Sequence, residues 1–218
     1  MNRTVVSQNP SVVVVDYGMG NLRSAHKGLE KAGIDALVTS DPAAVRSAEA
    51  VVLPGVGAFR DCMANLTGAG LVSPVLDAID EGKPFLGICL GMQLLMTISE
   101  EFGLHRGLDV IPGRVTRFDQ DADLKVPHMG WNRVHYSGDH RLFEGIPDGS
   151  YFYFVHSYYI APEDESVICG WTEYGERFCS AIAKDNLFAT QFHPEKSHNN
   201  GLKVLENFGK IVAEYKEG

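Results

Sequence analysis

A chain of 218 residues with 44% hydrophobic content can bury one sizeable core, and a single-domain α/β protein is the leading expectation. Its net charge of −9, from 28 acidic and 19 basic residues, argues against unaided binding to nucleic acid or an anionic membrane. Cysteines 62, 89, 169 and 179 lack paired zinc-type spacing, no apolar run approaches transmembrane length, and Met1 to Pro10 lacks the apolar centre of a signal peptide. A reducing, cytoplasmic setting is expected, with residues 1–10 a flexible extension ahead of one domain over 11–218.

Ser11 to Val15 is a β-branched strand signal, and Leu22, Ala25, Leu29 and Ala32 then carry a helical stripe. Gly18-x-Gly20 with Asp41 downstream can be read as a dinucleotide loop. Arg23 stands where the third glycine belongs, so an ordinary β-to-α loop at the functional edge is favoured. Glu49 to Leu53 is a second strand running into Pro54-Gly55-Val56-Gly57. That segment is either a turn or an oxyanion strand with N–H groups at Gly55 or Val56 pointing into a site. Leu66 to Ile79 reads as one helix.

Phe85 to Ile88 follows a proline as a buried strand would, and Met92 to Ser99 has helical spacing. Cys89 therefore falls at a strand-to-helix turn, framed by Gly87 and Gly91 in the manner of a Gly-x-nucleophile-x-Gly elbow. Such a turn exposes the sulfur, the helix start stabilises a thiolate, and the Leu90 N–H can face an oxyanion. Taken alone, Cys89 reads equally well as a packed core thiol. Strand, helix, strand repeated three times predicts right-handed crossovers, a largely parallel sheet and catalytic loops at its carboxyl edge.

Past Glu100 the pattern becomes short strands: Val110 to Phe118, Trp131 to Tyr136, Tyr151 to Ile160, Val167 to Trp171, Cys179 to Ala183 and Leu187 to Phe192. They are expected to extend or cap the same sheet. Leu202, Leu205, Phe208, Ile211, Val212 and Tyr215 mark a final amphipathic helix. In the aromatic run 151–159, His156 reads as a hydrogen-bonded structural histidine. His193-Pro194-Glu195 ends a strand, because Pro194 cannot donate to a ladder, and residues two apart project to one side. Glu195 can then orient the imidazole of His193. The pair is a surface ion pair or, combined with the Cys89 elbow, completes a Cys-His-Glu triad.

The elbow Gly87 to Gln93 and the segment Gln191-Phe192-His193-Pro194-Glu195-Lys196-Ser197 resemble the triad (class I) glutamine amidotransferases. Pro54 to Gly57, Pro127 to Asn132 and Tyr153 to Tyr158 resemble, more narrowly, the glutaminase subunits of imidazole glycerol phosphate synthases. The likeness runs along nearly the whole chain from Val12. It implies a central, mostly parallel mixed sheet flanked by helices, a triad of Cys89, His193 and Glu195, and an oxyanion hole from Leu90, Gly55 and Val56. Gln93 with the Ser157 and Tyr158 backbone would hold the amino-acid end of L-glutamine. Gly20, Asn21, Trp131, Tyr153 and Lys196 would face a separate (β/α)8-barrel cyclase subunit in a heterodimer.

The implied reaction hydrolyses glutamine to glutamate and ammonia through a γ-glutamyl thioester, with no metal or organic cofactor. The ammonia would pass to the cyclase, which makes imidazole glycerol phosphate and aminoimidazole carboxamide ribonucleotide in histidine biosynthesis. A free-standing γ-glutamyl hydrolase and a non-catalytic binding domain on the same fold are the alternatives.

Overall fold

A computed structural model describes residues 11–118, 124–136, 138 and 140–217; the expected extension at 1–10 lies outside them. Four consecutive valines form β1 (Val12–Val15), all fully buried. Alternation sends Val13 and Val15 to one face of the sheet and Val12 and Val14 to the other, so one strand seeds two cores. Around it lie β2 (Ala36–Thr39), β3 (Ala50–Gly55) and β4 (Phe85–Cys89), in the order β2-β1-β3-β4 and all parallel. The connecting helices are α1 (Leu22–Lys31), α2 (Pro42–Ser47), α3 (Phe59–Gly68) and α4 (Val72–Asp80).

The remaining elements are α5 (Leu90–Leu94), β5 (Met96–Ser99), β6 (His105–Arg106), β7 (Ile111–Arg117), β8 (His128–Val134), β9 (Ser150–His156), β10 (Tyr158–Pro162), β11 (Ile168–Tyr174), β12 (Glu176–Lys184), β13 (Leu187–Thr190) and α6 (His198–Glu217). Among the described residues, eleven strands form one mixed sheet. It continues from β4 through β13, β12, β10, β7, β5 and β6, with β11 paired to β12. β13 is parallel to β4, whereas β12, β10 and β11 bring antiparallel pairings. β8 and β9 form a separate antiparallel ribbon. Phe59, Leu66 and Val75 of α3 and α4 fill one core, and Leu29, Val204 and Phe208 of α1 and α6 the other. The molecule is thus a single α/β domain with helices on both faces of a mixed sheet.

Four local expectations are corrected. The β2 and α2 pair is an additional unit, with Asp41 capping the backbone N–H of Ala43 at the start of α2. Leu66 to Ile79 is two helices bent by 92° at Gly68-Ala69-Gly70, because that sequence ends one helix before the next begins. The helix after Cys89 stops at Leu94. The Leu95 carbonyl accepts the Ile111 amide, and β-branched Thr97 and Ile98 lie in a strand against β7. Tyr151 to Ile160 divides at Ser157 into two strands that belong to different sheets.

Candidate active site

β4 delivers Cys89 to the carboxyl edge of the sheet with φ 54° and ψ −109°. A non-glycine residue held there costs about 1–3 kcal/mol, and the surrounding packing must impose it. Gly91 shows how. A Cβ on it would lie 1.8 Å from the Leu53 carbonyl oxygen, so the elbow folds directly against β3. Gly55 sits opposite Cys89 in the ladder, and a Cβ there would lie 2.8 Å from both the Leu90 Cβ and the Tyr17 hydroxyl. Leu90 is the first residue of α5. Tyr17 donates to the Pro54 carbonyl at 2.8 Å, and the Val56 carbonyl accepts the Cys62 thiol. Leu90 and the Gly55-Val56 segment, the expected oxyanion residues, thus lie beside Cys89.

Because β13 is the parallel neighbour of β4, with Thr190 opposite Ile88, the chain leaving β13 passes next to the elbow. His193 donates its backbone N–H to the Tyr153 carbonyl at 2.9 Å, and its own carbonyl accepts the Ser197 hydroxyl at 2.6 Å. The imidazole Nδ1 bonds the Glu195 Oε1 at 2.9 Å, and the two side chains are only 2% and 3% exposed. That burial rules out the surface-pair reading. The other ring nitrogen, Nε2, is buried and makes no hydrogen bond. Burial alone would push the His193 pKa down; the adjacent Cys89 sulfur, and after it Glu195, outweigh burial and hold the ring above its ordinary range.

Cys89 and His193 share a cavity of about 260 Å³ with Val56, Leu90, Gln93, Glu101, His156, Ser157 and Tyr158. Gln93 gives both amide protons away, to the Tyr158 carbonyl at 2.9 Å and the Gln191 Oε1 at 3.0 Å. Its own carbonyl oxygen is what remains for a ligand donor such as an ammonium. A cysteine sulfur and a carboxylate-held imidazole beside a small polar cavity suit acyl transfer from an amide. A larger cleft of about 540 Å³ lies between Arg141, Glu144, Lys210 and Glu214, and none of the expected site residues reaches it.

Residues 13–212 match the family described as glutamine amidotransferase class-I. The chain belongs to the class-I glutamine amidotransferase family. Among its relatives, the imidazole glycerol phosphate synthase subunit HisH of Syntrophotalea carbinolica is 57% identical, over 92% of this chain and 100% of the relative. The protein of the same name from Geobacter sulfurreducens is 58% identical, over 92% and 98%. The fold is similar to that of PurLQS from Thermotoga maritima, with TM-score 0.68 and 19% identity over 96% of this chain and 100% of that one. It is also similar to the CTPS glutaminase domain with bound acivicin from Trypanosoma brucei, with TM-score 0.65 and 16% identity over 93% of each chain.

The other expected residues of this glutamine amidotransferase are not among those that line the cavity. Asn21 borders a crevice with Pro54, Gly55, Val56, His193 and Glu195, and Gly20 lies against Pro54. The Trp131 ring is 6.0 Å from Tyr153 and stacks on His198 at 4.9 Å, while the Lys196 ammonium lies 5.9 Å above Tyr153. Two polar residues escaped the sequence reading. Gln191, fully buried, donates its side-chain N–H to the Cys89 sulfur at 3.6 Å. Glu101 lines the cavity and accepts the Phe59 backbone N–H at 2.5 Å, which caps α3 just beyond Gly57. The segment 191–197 that carries the family likeness contains Gln191; nothing local in the sequence marks Glu101.

Proposed function

We propose that this chain is the glutaminase subunit of an imidazole glycerol phosphate synthase, with Cys89, His193 and Glu195 as its triad. The buried His193–Glu195 bond beside the strained Cys89 elbow carries the reading, and relatives of that name at 52–58% identity support it. The Cys89 thiolate attacks the side-chain amide carbon of L-glutamine, and the oxyanion meets N–H groups of Leu90 and of the Gly55-Val56 segment. The imidazolium of His193, oriented by Glu195, protonates the leaving ammonia. Water activated by the now neutral ring then hydrolyses the γ-glutamyl thioester. The chemistry calls on no metal or organic cofactor.

Gln93, Glu101 and the Ser157 and Tyr158 backbone offer the polar surface for the amino-acid end of the substrate. A protected route matters because ammonia near neutral pH is mostly protonated and then cannot act as a nucleophile. The partner we infer is a separate (β/α)8-barrel cyclase, forming a heterodimer. Met129, Trp131 and Tyr151, exposed on the β8–β9 ribbon, lie on the side where Tyr153, Lys196, Gly20 and Asn21 would meet it. Among the described residues no single helix is long and apolar enough to cross a membrane, and we assign the complex to the cytoplasm. Glutamine hydrolysis assayed with and without the barrel subunit and its nucleotide ligand tests the reading. Low activity alone and strong activation in the complex are expected; full turnover by the isolated chain would favour a free-standing hydrolase.

A further inference from the structure

The mechanism uses one histidine of the cavity, but two more lie buried behind it. His128 and His156 are directly paired across the β8–β9 ribbon, 3% and 6% exposed, in an aromatic cage. Phe154 and Tyr174 stack on His128 at 4.8 and 4.0 Å, and Phe118 and Phe178 each lie 5.2 Å from His156. Such surroundings admit a histidine only if its nitrogens are satisfied.

They are satisfied in one direction. The Asn132 amide is oriented by two backbone groups: its Nδ2 donates to the Glu173 carbonyl at 2.9 Å, and its Oδ1 accepts the Arg133 N–H at 2.8 Å. Its second Nδ2 proton therefore points at the His128 Nε2, 3.2 Å away, which must be the unprotonated nitrogen. His128 then carries its proton on Nδ1 and donates to the His156 Nε2 at 2.9 Å. His156 in turn carries its proton on Nδ1 and donates to the Tyr158 carbonyl at 2.9 Å. The other end agrees, since a carbonyl can only accept. Burial pushes the pKa of His128 down to about 4 and that of His156 down to about 3, which keeps both rings neutral at physiological pH.

The Tyr158 carbonyl is also where Gln93 donates. It is thus the point at which this chain from the ribbon meets the Gln93–Gln191–Cys89 chain in the cavity. We infer that His128 and His156 are positioning residues for the glutamine pocket: a one-way hydrogen-bond relay from Asn132 that fixes the Tyr158 peptide and, through it, the Gln93 amide. The inference rests on reading this cavity as the glutamine site. Neither ring touches the reacting atoms; they act through Tyr158.

The relay is tested on the full chain, by imidazole ¹⁵N NMR without substrate and by glutamine kinetics with the barrel subunit. Both rings should appear as neutral Nδ1–H tautomers. His128→Leu should raise KM for glutamine about 5- to 10-fold, as loss of one hydrogen bond would, with kcat within twofold. His128→Asn, whose amide can still donate from the Nδ1 position, should restore KM. Asn132→Asp, matched in shape and half-exposed, replaces the donor by an acceptor and should switch both rings to Nε2–H with a similar rise in KM; it serves if His128→Leu fails to fold. Nε2–H tautomers in the unmodified chain, or an unchanged KM in folded His128→Leu or Asn132→Asp, would overturn the relay. No glutamine hydrolysis by the unmodified complex would instead overturn the glutaminase reading, and with it the use we assign to the relay.

Discussion

The side-chain amide of Gln191 donates to the sulfur of Cys89 at 3.6 Å, held in that orientation by Gln93, whose Nε2 occupies the Gln191 Oε1. An amide so constrained cannot turn its oxygen toward the sulfur, so it always meets a thiolate with a donor. Gln191→Leu should therefore slow iodoacetamide alkylation of Cys89 at neutral pH about tenfold, the lower end for a hydrogen bond to a charged group. An unchanged alkylation rate would mean that the contact does not stabilise the nucleophile.

The elbow depends on the absence of a side chain at Gly91. A Cβ there meets the Leu53 carbonyl at 1.8 Å, so Gly91→Ala must push β3 and the elbow apart. We expect a loss of at least about 3 kcal/mol in urea unfolding together with loss of glutaminase activity. Gly68→Ala is the control, since a Cβ at that position meets nothing within 4 Å. It should gain about 0.5–1 kcal/mol from helix propensity.

In the proposed mechanism Glu195 works through its charge as well as its shape. Glu195→Gln retains an acceptor for the His193 Nδ1 but removes the carboxylate that favours the imidazolium. In the assembled complex kcat should fall about 100-fold with little change in KM, as expected for impaired acid–base catalysis. A rise in KM with kcat intact would place Glu195 in substrate binding instead.

The buried histidine pair gives the fold an acid-sensitive component. Both folded-state pKa values lie below the unfolded value of about 6.5, so between about pH 6.5 and 4 the unfolded chain binds more protons than the folded one. Stability then rises with pH in that window and falls on acidification, by up to about 1.4 kcal/mol per pH unit for each ring. Urea unfolding from pH 7 to pH 4.5 should show this slope, and His156→Asn should remove the His156 share of it.

Much of this was legible locally. The valines of β1, the glycines around Cys89 and the His193-Pro194-Glu195 spacing each encode their own geometry, and the elbow forms where those residues stand. Four features were not legible, because they depend on partners distant in sequence. Met92 to Ser99 has helical spacing, yet pairing with β7 makes Met96 to Ser99 a strand. The aromatic run 151–160 alternates as one strand, yet the chain crosses from ribbon to sheet at Ser157. Gln191 and Glu101 are ordinary polar residues until the fold brings one against a sulfur and the other into the cavity. Burial of His193 and Glu195 excludes a surface pair, and no single segment of sequence contains that fact.

The most direct test is the covalent intermediate. The assembled complex, turning over glutamine, is quenched in acid and digested, and the Cys89 peptide is examined by mass spectrometry. A glutamyl group in thioester linkage to Cys89, absent from Cys89→Ala, which is also inactive, is the result the account predicts. Undiminished glutamine hydrolysis by Cys89→Ala, or the glutamyl group on another residue, would contradict it.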